Sequence, residues 1–108
     1  MKLNREYLDQ FDNLRPILQV ALRELETHYE LFVSAAKTGD TELLTRSTHT
    51  LRNVACHLEN HYLTQSLTTL YQAIKDNNTM VAKTQIVMVN DLVPLLIECV
   101  REDLSTLQ

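Results

Sequence analysis

His49 and the arginines on either side of it form the pattern in this chain that is best suited to chemistry. Arg46 precedes His49 by three residues, and Arg52 follows it by three. In a helix, residues three apart lie on one side, about a turn from each other. Histidine can act as a nucleophile near neutral pH, and guanidinium groups bind phosphate oxygens well. This spacing therefore predicts a histidine that carries a phosphoryl group.

The element that positions these residues is predicted to be one amphipathic helix. Leu51 and Leu58 fall roughly opposite His49 on this helix, and Leu44 and Ala55 fall beside them. The side that contains His49 also carries Thr45, Arg46, Arg52, Asn53 and Cys56. Burial of the apolar stripe is therefore expected to hold His49 out toward water.

Apolar residues elsewhere also recur at helical spacing and predict an all-α chain with four long helices. A short extra helix is expected from about Arg5 to Asp12, and Asn13 is expected to cap the first long helix. Gly39 is the only glycine, and it is expected to end that helix in a left-handed conformation. Asp40 is expected to cap the helix that carries His49. The short turn between the two helices predicts that they are antiparallel.

Two further helices complete the predicted fold. The chain is expected to bend at residues 59–61 and to break again at residues 76–79. The helix between these points is expected to turn inward Leu63, Leu67, Leu70, Tyr71 and Ile74. Pro94 lies inside the last segment, which is therefore either one kinked helix or two. The predicted architecture is an antiparallel up-down four-helix bundle with a short extra N-terminal helix, in one domain over residues 1–108.

The composition is that of a globular domain with few turns. Hydrophobic residues make up 44% and charged residues 22%, with one glycine and two prolines. A net charge of −4 disfavours binding to nucleic acid. Two widely separated cysteines favour a reducing compartment. Because we find no apolar signal core and no unbroken apolar run of about 18 to 20 residues, we expect a cytoplasmic protein with no membrane contact.

Metal and nucleotide sites are weakly supported by the sequence. His57 and His61 are four residues apart, but the expected bend lies between them and no further ligand completes a metal site. One glycine cannot build a glycine-rich phosphate loop. We therefore expect no bound metal and no cofactor of the chain's own.

The order of these helices and the residues around His49 resemble the histidine-containing phosphotransfer (HPt) domains of phosphorelays. The family pattern is a histidine, a leucine two residues on, a lysine three on, a glycine four on, and a leucine–glycine pair at nine and ten. The matching positions here are His49, Leu51, Arg52 (in place of the lysine) and Leu58. The resemblance covers roughly residues 14–107.

The resemblance implies a role for each residue that it matches. His49 would be phosphorylated, and Arg52 would stabilise the phosphoryl oxygens. Asn53 stands where the family has its first glycine, and Glu59 where it has the second, which bears on how a partner approaches. The residues expected to form the partner-docking surface are Thr45, Arg46, Asn53 and Cys56.

The resemblance also implies a mechanism and partners. The chain would accept a phosphoryl group on His49 from a receiver aspartate and pass it to another receiver, with no kinase activity of its own. The partners would be receiver domains of a hybrid histidine kinase and of a response regulator. The receiver would supply Mg²⁺, and the chain itself would be a monomer.

Other interpretations stay open at the level of sequence. His49 can be an ordinary solvated side chain, and Arg46 and Arg52 can be surface charges paired with Glu42 or Glu59. A degenerate HPt-fold adaptor would bind a receiver or kinase without carrying phosphate, and the departures at Asn53 and Glu59 favour it. A helical adaptor unrelated to signalling would keep only the fold.

Overall fold

The computed structural model describes residues 1–107 and is entirely helical over that range. Its five helices are α1 (Arg5–Leu8), α2 (Leu14–Thr38), α3 (Thr41–His57), α4 (His61–Lys75) and α5 (Thr79–Thr106). No β-strand occurs in the described part of the chain. The all-α class and the four long helices are therefore confirmed.

Short polar caps make the connections between the long helices tight. Gly39 ends α2 with a φ of 73°, as predicted, and has open space where a side chain would begin. The Asp40 side chain then accepts a hydrogen bond from the Leu43 amide at 3.1 Å, which caps α3. Asn60 and Asn78 cap α4 and α5 in the same way. Glu59, the last residue before the Asn60 cap, has a φ of 53°, so the predicted bend is confirmed.

The four long helices pack in a closed order around one core. Helix α2 contacts α3, α3 contacts α4, α4 contacts α5, and α5 returns to α2. The molecule measures 45 × 21 × 19 Å along its principal axes. The largest fully buried side chains are Phe32, Leu8, Leu18, Leu25, Leu51, Leu58, Leu63, Leu67, Leu70, Leu96, Val89 and Val93. Leu3 and Leu8 extend this core toward the N-terminus.

Two expectations near the N-terminus were wrong. Helix α1 ends at Leu8 instead of continuing to Asp12, because the next amides, Gln10 and Phe11, bond three residues back in tight turns. Asn13 does occupy the capping position of α2, but its side chain makes no capping hydrogen bond. The third residue of α2 is Pro16, which has no N–H to donate to such a cap.

Helix α5 runs without interruption through Pro94, which decides between the two predicted alternatives. A proline inside a helix leaves the carbonyl four residues earlier without its usual donor. That carbonyl belongs to Asn90, and the Tyr29 hydroxyl of α2 lies 3.5 Å from it. The same hydroxyl lies 3.0 Å from the Asn90 side-chain oxygen. Tyr29 therefore places a donor where the helix has lost one.

Helix α5 is also the one helix in residues 1–107 that is long and apolar enough to cross a membrane, judged by length and composition alone. Its most apolar window of 18 residues has a mean hydropathy of 1.5, and 22% of that window is buried inside the protein. The helix has no unbroken apolar run, because the charged residues Lys83 and Asp91 interrupt its apolar sequence. The core helix of a soluble protein meets the same criterion.

The Asp40 cap generates a prediction about the stability of α3. Asp40→Ala should lower the free energy of unfolding by about 1 kcal/mol, because the Leu43 amide loses its acceptor. Urea denaturation followed by circular dichroism measures this loss. Asp40→Asn keeps a capping oxygen and is the matched control. Equal loss in both variants would mean that the carboxylate charge, and not the cap, stabilises the helix.

Candidate functional site

His49 lies in the middle of α3 and is exposed to solvent, as the helical spacing predicted. Leu51, Ala55 and Leu58, on the opposite side, are almost fully buried. The backbone at His49 is continuous helix, with more than a turn on either side. The histidine is therefore held by a rigid element, and its ring is accessible to a partner protein.

Both ring nitrogens of His49 face a hydrogen-bonding side chain one turn further along α3. The Arg52 guanidinium approaches Nδ1 at 3.2 Å, and the Asn53 amide approaches Nε2 at 3.4 Å. These contacts restrict the orientation of an otherwise exposed ring. They also mean that a phosphoryl group can reach either nitrogen only after one of the two side chains moves.

The contact with Arg52 determines which nitrogen carries the proton. A guanidinium can only donate, so Nδ1 must accept and the neutral ring must carry its proton on Nε2. The Asn53 amide suits this tautomer when it turns its oxygen toward Nε2–H. The Arg52 contact thus selects one tautomer of the neutral ring, whereas the Asn53 amide, whose nitrogen faces Nε2, fits that tautomer only after its oxygen and nitrogen exchange places.

Tyr71 on α4 completes the site, although helical spacing predicts only that it belongs to the inward residues of its helix. Its ring centroid lies 6.1 Å from that of His49, with an angle of 47° between the planes. The Arg52 guanidinium carbon lies 5.3 Å from the Tyr71 centroid, and the Lys75 ammonium nitrogen lies 5.4 Å from it. Both distances suit cation–π contacts. Tyr71 therefore contacts two cations, one of which, Arg52, also contacts the histidine.

Sequence reasoning missed Tyr71 and Lys75 because they lie on a different helix from His49. Their spacing of four residues on α4 was a usable signal, since it places a cation next to an aromatic ring. The sequence alone does not say which helix faces α3 at that height. That relation comes from the packing of α4 against α3.

A shallow hollow of about 490 Å³ opens beside His49. It is lined by parts of α2, α3 and α4, among them His28, Leu31, Thr45, Arg46 and Tyr71. The structure thus brings the predicted docking residues Thr45 and Arg46 to the same depression as His49. The hollow is large enough for a phosphoryl group and part of the residue that delivers it.

A second groove of about 550 Å³ runs between α2 and α3, on the other side of His49. Its walls are mainly apolar, with Ile17 and Val20 exposed and Val54 buried, and Asn53 also lines it. Asn53 thus belongs both to the environment of His49 and to this groove. Cys56 is exposed but lines neither of these two depressions.

The charges around His49 are predominantly positive. Within residues 1–107 neither Arg46 nor Arg52 forms an ion pair, so the alternative pairing with Glu42 or Glu59 is not found. Glu59 lies 4.0 Å from His61 instead. Unpaired guanidinium groups near an exposed histidine provide an attractive environment for an incoming phosphate.

His57 and His61 do not come together as a metal site. His57 is the last residue of α3 and His61 the first of α4, so the break at Glu59 lies between them. Over residues 1–107, no group of three or more His, Cys, Asp or Glu residues is arranged to hold a metal ion.

Comparisons with family models, with curated proteins and with solved structures found no match for this chain.

The contact between Arg52 and His49 predicts the tautomer of the neutral histidine. At pH 8, the neutral His49 ring should carry its proton on Nε2 in a larger fraction of molecules than the neutral ring of His61, whose side chain is 83% exposed. Long-range ¹H–¹⁵N NMR spectra of the two imidazoles measure this difference. In Arg52→Ala, the tautomer ratio of His49 should move toward that of His61. An unchanged ratio in this variant would show that the contact does not persist in solution.

Proposed function

We propose that this protein is a histidine phosphotransfer protein of a multistep phosphorelay. In this role, His49 accepts a phosphoryl group from the aspartyl phosphate of one receiver domain and passes it to the aspartate of another. The observation that carries the proposal is the exposed His49 ring, held on a rigid helix between Arg52 and Asn53. Two unpaired arginines nearby support it, because the transferred group is strongly anionic.

The proposed chemistry uses the ring nitrogen that is further from the backbone. Nε2 attacks phosphorus in line, a P–N bond forms, and the bond from phosphorus to the aspartyl oxygen breaks, which releases the carboxylate. Nε2 must first lose its proton to solvent while Nδ1 gains one. Protonated Nδ1 can no longer accept from Arg52, so the guanidinium becomes free to bind the phosphoryl oxygens. Ring activation and release of the cation are thereby coupled.

Tyr71 supports this motion as a positioning residue. Its ring already contacts Arg52 and Lys75, so the guanidinium can leave Nδ1 without moving far from the histidine. The reverse transfer, from His49 to a second receiver, uses the same geometry. Mg²⁺ would be supplied by the receiver. Catalysis of phosphoryl transfer is mainly positioning and charge stabilisation, and the metal ion would contribute to the latter.

The apolar groove between α2 and α3 is the proposed docking surface for the receiver. Ile17 and Val20 are exposed there, 36% and 51% respectively, and the groove reaches Asn53 beside the histidine. An amphipathic helix fits a groove of this kind. Thr45 and Arg46 would contact the receiver from the other side of His49, whereas Cys56 is exposed near the end of α3.

The proposed architecture for this function is an antiparallel up-down four-helix bundle with α1 added at its N-terminal end, in one domain. Helices α2 and α5 contain 25 and 28 residues, so each is roughly 40 Å long. Helices of that length fit only along the 45 Å axis of the molecule. Short connections between successive long helices then require the chain direction to alternate. The proposed role places the protein in the cytoplasm, with its receivers.

A second candidate function is an adaptor of the same fold that binds a receiver or kinase without carrying phosphate. The position of Asn53 favours it, because this side chain covers Nε2 where the resembled family has a glycine. In that role the α2–α3 groove would still bind the partner.

A transfer assay tests the main proposal. The protein is mixed with receivers that carry radiolabelled aspartyl phosphate in the presence of Mg²⁺. We expect label on the wild type that is labile in acid and stable in alkali, as a phosphohistidine would be. His49→Gln should carry none, because its amide is not a nucleophile, and His61→Gln should carry as much as the wild type.

Two results of this assay would reject phosphotransfer by His49. Equal label on His49→Gln and the wild type would place the phosphoryl group elsewhere. Absence of label together with measurable binding to one of the receivers would establish the adaptor instead.

The two arginines should differ in their effect on the transfer rate. Arg52→Ala should slow transfer roughly 10- to 100-fold, because the phosphoryl oxygens lose a positioned cation. Arg46→Ala should slow it by less than about threefold, since the His49 ring nitrogens face Arg52 and Asn53 and not Arg46. Rapid-quench measurement of phosphohistidine formation gives both rates. Arg52→Lys should restore most of the lost rate, and equal effects at both arginines would contradict the assigned roles.

A further inference from the structure

The outward face of α5 carries more exposed apolar side chains than any other helix in residues 1–107. Met80 is 80% exposed and Val87 60% exposed, and Met88 and Leu95 are also accessible. Met80, Val87 and Pro94 are seven residues apart, so they form one stripe along the helix. We call these three residues the α5 stripe.

The α5 stripe lies away from the candidate phosphoryl site. Helix α5 contacts α4 and α2, whereas α3, which carries His49, contacts the same two helices from across the core. A molecule bound to the α5 stripe would therefore leave His49, the hollow beside it and the α2–α3 groove accessible. The phosphotransfer site does not explain this surface.

Two opposite charges flank the centre of the stripe symmetrically. Lys83 lies four residues before Val87 and Asp91 four residues after it, and both are exposed. Neither side chain forms an ion pair within residues 1–107. A surface with one charge of each sign at equal distances from its centre is complementary to its own copy when that copy runs in the opposite direction.

We propose that the α5 stripe binds a second copy of this chain in an antiparallel, two-fold symmetric pair. Residues whose numbers add up to 174 then lie at the same height on the two helices. Val87 faces Val87 of the other copy, Met80 comes level with Pro94, and Lys83 comes level with Asp91 twice. The apolar stripe excludes water from the centre while the two charge pairs set the direction and the register.

The charges near the α5 stripe favour an antiparallel second copy over a parallel pair or a lipid surface. A parallel pair would place Lys83 against Lys83 and Asp91 against Asp91, which is repulsive. A lipid surface would favour several lysines or arginines around the apolar residues, but Asp91 and Glu98 lie on this side of α5 with Lys83 as the basic residue near its centre. A second copy covers the apolar residues and pairs Lys83 with Asp91, whereas Glu98 lies beyond the end of the stripe at Pro94.

The pair is expected to be weak. A weak dimer differs from the monomer that the family resemblance implied. Met80 and Pro94 are 14 residues apart, so the stripe is roughly 21 Å long, and two helices that meet over this length bury less than a standard interface. We therefore expect the dimer to dissociate in the micromolar range, where it responds to protein concentration.

Sedimentation equilibrium of the full chain over a range of concentrations tests the proposal. The wild type should show a reversible monomer–dimer equilibrium. Val87→Asp should raise the dissociation constant at least about tenfold, since it places two carboxylates at the two-fold axis. Val20→Asp introduces the same carboxylate at a comparably exposed valine of α2 and should leave the dissociation constant unchanged. Circular dichroism confirms that both variants are folded.

Exchange of the charges tests the register. Lys83→Asp and Asp91→Lys should each weaken the dimer at least about threefold, and the double exchange should restore it, because opposite charges again come level. A wild type that stays monomeric at all concentrations, or a dimer that is unaffected by Val87→Asp, would overturn the proposal. Binding to phosphatidylcholine–phosphatidylserine vesicles that is lost in Val87→Asp, without a dimer, would assign the stripe to lipid instead. His49→Gln should dimerise like the wild type, so this result is independent of the transfer assay.

Discussion

Burial of the apolar side of α3 determines the direction in which His49, Arg52 and Asn53 point. Leu51, Ala55 and Leu58 are almost completely removed from water, and burial of a leucine side chain is favourable by roughly 1.5 to 3 kcal/mol. Rotation of α3 about its axis would expose this stripe, so the helix has one stable orientation. His49 lies on the opposite side and is consequently exposed. The same constraint brings Arg52 and Asn53 next to the histidine ring, since both follow it by one turn.

A residue of the neighbouring helix α4 restricts the position of Arg52 on α3. Tyr71 of α4 contacts the guanidinium that approaches His49, and it also contacts Lys75. A flexible arginine on an exposed helix would otherwise sample many rotamers, which costs entropy whenever it binds a phosphate. The aromatic ring limits that freedom. The site is therefore assembled from two helices, although His49 and the cation nearest to it come from one.

The last helix shows how tertiary packing can accommodate a residue that disfavours helix. Pro94 removes one hydrogen bond from α5, yet the helix continues to Thr106. The Tyr29 hydroxyl lies close to the freed Asn90 carbonyl, and Val93 and Leu96 on either side of the proline are fully buried. Burial of these side chains outweighs the loss of one backbone donor. The outward face of this long helix keeps apolar residues such as Met80 and Val87 in contact with water.

The sequence by itself determined the elements and the exposure of His49. Helical periodicity, the single glycine and the capping residue Asp40 act over a few residues, so they are visible without the fold. Tertiary structure decided what depends on distant parts of the chain: the continuity of α5 through Pro94 and the approach of Tyr71 to Arg52. Pairing across the core depends on the height at which α4 packs against α3. The spacing of residues within one helix does not predict that height, because the height results from the simultaneous burial of side chains from all four long helices.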